Sequence, residues 1–234
     1  MCNFYSLSKG QAAIREIVSV WTDRTGNLAP QPTIFPDQSA PVIREGAEGR
    51  ELVMVRWEMP SPGFALKTRK TDPGVTNIRN VALPHWRRWL GPEHRCLVPF
   101  TSFCEYRVEP DKSRTPAWLA RGEDRPLTFF AGIWTRWTSV RKIKEGAVDA
   151  DLYGFPTAEA NAAVGAAHQK AMPDILTEPE EPRHFPRSRN DRIANIPDLR
   201  CACSILATPA KTSGMKGAST SRSAASSLPI KCAT

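Results

Sequence analysis

The sequence predicts a mixed α+β domain dominated by strands, as a curved sheet or a partial barrel. Three observations carry this reading. Short apolar runs alternate with Pro and Gly punctuation up to residue 181, only three stretches read as helix, and every Trp and Tyr lies before residue 154. Glu51 to Trp57, Arg95 to Phe100, Phe103 to Val108, Ala117 to Leu119 and Leu127 to Trp137 read as strands. Ser8 to Val18 reads as a helix with Ser8 as its N-cap, and Leu83 to Leu90 as a short helix opened by Pro84. Thr157 to Ala167 reads as an Ala-rich helix capped by Thr157. Between strands, Pro60 to Gly74 forms a long basic loop with Lys67, Arg69 and Lys70, of a length that often carries function.

The 234 residues, with 41% hydrophobic and 24% charged side chains, suffice for one domain with a real core and exclude collagen, mucin and coiled coil. No apolar stretch approaches the roughly 20 residues of a membrane span, and Met-Cys-Asn-Phe-Tyr lacks the pattern of an export signal. Six cysteines in such a chain read as reduced thiols, so a cytoplasmic protein is expected. The formal charge of +8 is lopsided: residues 182–234 hold nine Lys/Arg against two Asp, which leaves +1 to residues 1–181. Any nucleic-acid binding by the body therefore needs a local basic face. Leu206 to Thr234, rich in Ser, Ala, Thr and Lys without amphipathic period, reads as disordered. The expected division is a domain body over 1–181 and an atypical basic low-complexity tail over 182–234.

Cys2 directly follows the initiator Met, and cysteine is small enough for that Met to be removed. The new terminus would carry an amine and a thiol on one residue, a 1,2-aminothiol. The amine condenses with an aldehyde to an imine, and the thiolate closes a five-membered thiazolidine. An α-amine has a pKa near 7.7–8.0 against about 10.4 for lysine, so its nucleophilic fraction at neutral pH is larger by about a few hundredfold. The alternative is a small apolar side chain under a strand. His168, in Ala-Ala-His-Gln-Lys-Ala-Met-Pro-Asp, could shuttle protons, although a lone His is more often structural. Glu105 sits among residues that look buried, as a proton-transfer group or as a partner of Arg95 or Arg107.

Metal chemistry is not expected. There is no Cys-x-x-Cys, His94-x-Cys96 lacks a second ligand pair, and Cys201-x-Cys203 lies in the tail. A hydrolase elbow Gly-x-Ser-x-Gly and a Gly-rich phosphate loop are both missing from the sequence.

Five fragments in order resemble one family. They are Met-Cys-Asn-Phe-Tyr, Val75-Thr76-Asn77-Ile78-Arg79-Asn80, Arg95 to Tyr106, Phe130-Ala131-Gly132-Ile133-Trp134, and Thr157 to Asn161 with His168 to Leu176. Residues 1 to about 177 are similar to the SOS response-associated peptidase (SRAP) family. The resemblance implies the SRAP fold, a curved, barrel-like β-sheet with flanking helices, and covalent trapping of abasic sites in single-stranded DNA by a thiazolidine, with lyase and autopeptidase activity, the latter exposing Cys2 by removal of Met1. It implies Cys2 as nucleophile, Asn77 as the group orienting the N-terminal residue or the opened sugar, Glu105 in proton transfer and His168 in ring opening and reversal. Arg79 matches the family's phosphate-contacting arginine, and aromatic surfaces would stack on bases. The implied partner is single-stranded DNA with abasic sites; no cofactor, no metal and a monomer are expected. Two other readings stay open: a catalytically impaired single-stranded DNA-binding protein, and a cysteine peptidase acting on other proteins.

The chain also departs from the family pattern. Asn77-Ile78-Arg79-Asn80-Val81 stands where the family usually has Asn-Ala-Arg-Ser-Glu, and Trp57-Glu58 where it has Trp-Gly. The His segment is one residue longer, with Lys170 for arginine. No Trp-containing helix and closing strand follow it, and the change in composition near Glu178 to Pro182 is what a shifted reading frame would produce.

Overall fold

The computed structural model describes residues 2–166, 171–177, 182 and 206–209. In chain order its elements begin with β1 (Phe4–Leu7), α1 (Gln11–Ile17), β2 (Thr22–Asp23), β3 (Gln31–Ile34), β4 (Ser39–Gly46) and β5 (Gly49–Trp57). Next come α2 (Gly63–Leu66), β6 (Asn77–Ile78), α3 (Pro84–Arg87), β7 (Arg95–Phe100), β8 (Ser102–Val108) and β9 (Arg114–Ala120). β10 (Thr128–Ser139), β11 (Val148–Ala158), α4 (Ala162–Gly165), β12 (Met172–Pro173), β13 (Ile175–Leu176) and β14 (Leu206–Pro209) follow among the described residues. This is the strand-rich α+β architecture expected from the sequence.

Five strands close a barrel. β11, β10, β7, β4 and β5 are successive antiparallel neighbours, and β5 returns to β11 through a parallel pairing, Leu152 with Arg56 and Tyr153 with Trp57. An odd ring of otherwise alternating strands must contain one such parallel pair. The second sheet runs in the order β14-β9-β8-β1-β3, antiparallel throughout.

The core lies where the two sheets meet. Tyr5 and Phe103 from the second sheet meet Phe100, Phe130, Phe155 and Trp57 from the barrel, all at most 1% exposed. Phe100 stacks on Phe130 at 3.7 Å between centroids, and Tyr5 approaches Phe130 edge-on at 5.8 Å. β7 and β10 sit close at Gly132, where a Cβ would lie 2.7 Å from Cys96 Sγ, so only hydrogen fits.

Several sequence expectations are revised. Ser8 does not cap a helix; its N–H and hydroxyl turn to Thr101 Oγ1 at 3.1 and 3.2 Å. α1 starts only at Gln11, with Gly10 as N-cap. The Ala-rich helix is also shorter. Thr157 and Ala158 finish β11, while α4 is capped by Asn161, whose Oδ1 accepts from Val164 N at 2.9 Å. Propensity lost there to pairing of β11 with β12. The 60–74 loop is anchored by buried Ser61 and Asp72 and carries α2. The tail expectation lies outside the described residues except at 206–209, which form a strand on β9 rather than disordered chain.

Burial sets the stability response. Phe130→Ala should cost about 3–5 kcal/mol in urea unfolding, whereas Ile143→Ala, at a side chain 72% exposed, should shift stability by less than about 0.5 kcal/mol.

Candidate functional site at the head of β1

β1 fixes the start of the chain. Tyr5 and Leu7 point into the core at 0% and 1% exposure, and β8 pairs with Phe4, Tyr5 and Ser6. The pairing continues beyond β1, since Asn3 N–H donates to Cys104 O at 3.2 Å. Cys2 is thereby drawn under cover, 2% exposed, with its thiol aimed at Phe4 O at 3.5 Å.

Asn77 approaches from the other sheet. β6 pairs in parallel with β11, Phe155 with Asn77, and presents the buried amide beside Cys2. Its Nδ2 donates to Cys2 O at 3.0 Å and to Thr76 Oγ1 at 2.8 Å. Asn77 Oδ1 is buried and has no hydrogen-bond partner among the described residues, an acceptor left open beside Cys2. Glu105, fully buried on β8, receives Asn3 Nδ2 at 3.4 Å. Arg107 pairs with Glu109 at 2.8 Å, and Arg95 Nε donates to Leu90 O at 3.3 Å. Arg79 is exposed and near enough for its charge to act on Glu105.

Burial dominates the electrostatics. It pushes the Glu105 carboxyl above the usual carboxylate range, opposed by the charge of the amino terminus and by Arg79. Burial, then the Glu105 charge, pushes the Cys2 thiol well up. The site therefore disfavours the thiolate of Cys2 and the charged form of Glu105 alike, which makes the carboxyl a candidate for proton transfer.

Cys2, Asn77, Glu105 and Arg79 thus come together from strands far apart in sequence. His168 lies outside the described residues. Among the described residues no three His, Cys, Asp or Glu side chains gather as a metal site needs.

Two features escaped the sequence reading. Tyr5 and Tyr153 share a buried hydroxyl–hydroxyl hydrogen bond of 2.5 Å at the joint of the two sheets. On the outer face, Phe4 contacts Phe35, Trp118 and Tyr106 at 5.1, 5.2 and 6.2 Å, with Phe35 46% and Tyr106 37% exposed. The period-two alternation of Phe4 with Tyr5 and of Glu105 with Tyr106 is the signal that places these rings outward.

Comparison with known proteins bears on the fold and the family. No curated protein matches the chain. Among solved structures, a protein from Bordetella bronchiseptica shares 21% identity at a TM-score of 0.56, covering 75% of this chain and 84% of that one. One from Bacteroides thetaiotaomicron shares 23% at a TM-score of 0.57, covering 76% and 78%. Both show the fold. The family model described as SOS response associated peptidase (SRAP) matches residues 1–205, beyond the boundary at 181 drawn from composition. With that match over most of its length, the chain belongs to the SRAP family, which ties it to a DNA-damage-associated role.

Proposed function

We propose that the protein traps abasic sites in single-stranded DNA as a thiazolidine on Cys2. The observation that carries this reading is the convergence of a buried Cys2, the Asn77 amide on its carbonyl and the buried Glu105 carboxyl at one end of β1. Removal of Met1 frees the Cys2 amine. That nitrogen adds to the aldehyde carbon of the opened deoxyribose, and the carbinolamine loses water to give an imine. Sulfur then bonds to the same carbon, the C=N pair returns to nitrogen, and the thiol proton ends on that nitrogen by way of Glu105. One water leaves overall. The raised thiol makes the amine the first nucleophile, with sulfur acting only once a base takes its proton.

Asn77 Oδ1 is the acceptor offered to the freed amine or to a sugar hydroxyl, and Arg79 supplies a charge-assisted contact to phosphate. His168 assists ring opening and reversal. The exposed rings of Phe35 and Tyr106, joined through Phe4 to Cys2, are the stacking surface for neighbouring bases. The peptidase in the family name is here removal of Met1.

Mixing the Met1-free protein with single-stranded DNA that carries one abasic site should give a heat-stable adduct on a denaturing gel, absent for Cys2→Ala. No adduct from folded protein defeats the chemistry and leaves a DNA-binding protein. Glu105→Gln should slow adduct formation by about a hundredfold or more. Phe35→Ala and Tyr106→Ala should each weaken binding of undamaged single strands by about tenfold in fluorescence anisotropy.

A further inference from the structure

The site's surroundings hold a second buried ionic cluster that the chemistry above does not use. Arg141 follows β10, and its side chain is 3% exposed. Its Nη2 donates to Glu58 O at 2.9 Å and its Nη1 to Asp72 O at 3.1 Å. The same guanidinium faces both carboxylates, Glu58 Oε2 at 3.1 Å and Asp72 Oδ1 at 3.7 Å. One cation thus bridges the two feet of the 58–74 loop.

Other bonds tighten those feet. Asp72 N–H donates to Val140 O at 2.8 Å, while its carboxylate accepts from Ser61 N and Gly74 N at 3.1 and 2.8 Å. Met59 and Val75 then exchange two backbone hydrogen bonds of 2.9 Å, and β6 begins two residues later with Asn77. Gly74 has φ +74, and a Cβ there would collide with the Arg141 guanidinium and lie 2.6 Å from Glu58 Cβ. Glu58 itself sits at φ +158, at the edge of the region that favours glycine, and carries the carboxylate that reaches Arg141.

We propose that Arg141 is a positioning residue for the site: it clasps both feet of the loop and fixes the backbone entering Asn77 and Arg79. The clasp goes beyond the thiazolidine reading, and only its effect on adduct rate rests on that reading.

Glu58 is faced by Arg141 and Asp72 across the clasp, by Asp37 from the turn before β4 and by Arg56 on β5. Arg56 and Lys142 are themselves engaged with Asp37 and Glu145. Burial, only partly offset by Arg141, raises the Glu58 carboxyl from 4.5 to about 7. Because the closed state holds this proton more tightly than an opened, solvated loop, the stabilisation is full below about 4.5. It is lost progressively as pH rises to about 7.

Amide hydrogen exchange at Asp72, Gly74 and Val75, corrected for intrinsic rates, reads the clasp directly. In the wild type, the opening equilibrium should increase about tenfold or more between pH 5.5 and 8, relative to the core amide of Ala131. Glu58→Gln, which keeps the packing, should remove that dependence. Arg141→Met should open the loop at both pH values, and Arg141→Lys should not rescue it, since one ammonium cannot reach both carbonyls. Gly74→Ala should open it with all charges in place. Gly74→Ala exchange as slow as that of the wild type at these amides overturns the proposal even if Arg141→Met fails to fold, as does an Arg141→Met protein that folds and exchanges like the wild type. Adduct rates of the same variants should follow the exchange. If no variant and no wild type forms an adduct, the thiazolidine reading fails while the exchange still decides the clasp.

Discussion

β11 enters two parallel pairings, and the rest of the molecule is arranged around them. Its central residues close the barrel against the end of β5, and its next residues receive β6. The first pairing sets Trp57 beside Tyr153, whose hydroxyl reaches Tyr5 in the other sheet. The second sets Asn77 beside Phe155, within reach of Cys2. Parallel pairs need long connections between their strands. The connection from β5 to β6 is the loop held by Arg141, so barrel closure and site geometry share one stretch of backbone.

The chemistry proposed at β1 depends on an opposition between packing and reactivity. A nucleophile is most reactive when its thiolate is solvated or paired with a cation, yet Cys2 is enclosed and sits beside a carboxylate. Such an arrangement suppresses unspecific thiol chemistry, oxidation included, because little thiolate exists until a substrate brings proton transfer into play. The same enclosure pushes the Glu105 carboxyl above the usual carboxylate range, so both groups are shifted in the same direction by one cause.

Much of this was legible in the sequence, for reasons that differ by element. β5, β7, β8 and β10 could be read because buried strands give continuous apolar runs, as in Arg95–Phe100, where every residue is buried. β4, with Pro41 and a charged end, and β11, with three acidic or glycine positions, look like loops and become strands only through their neighbours. The Ala-rich segment misled because helix propensity is a local term, and pairing of Thr157 and Ala158 with β12 outweighed it. Cys2, Asn77 and Glu105 could be singled out one by one from residue chemistry and family pattern. Their meeting could not, since register between β1, β6 and β8 is set by long-range pairing. Nor does any local signal connect Arg141 to Glu58 across 83 residues.

β14 gives the region after the domain body an unexpected bearing on solubility. It covers Ala117–Ala120 on β9, the outermost strand of the second sheet without it. A chain cut at the compositional break near residue 181 would leave those backbone amides and carbonyls open beside Trp118 and Leu119. A bare apolar edge of this kind invites strand addition by another molecule, so a shortened protein would gain a tendency to aggregate.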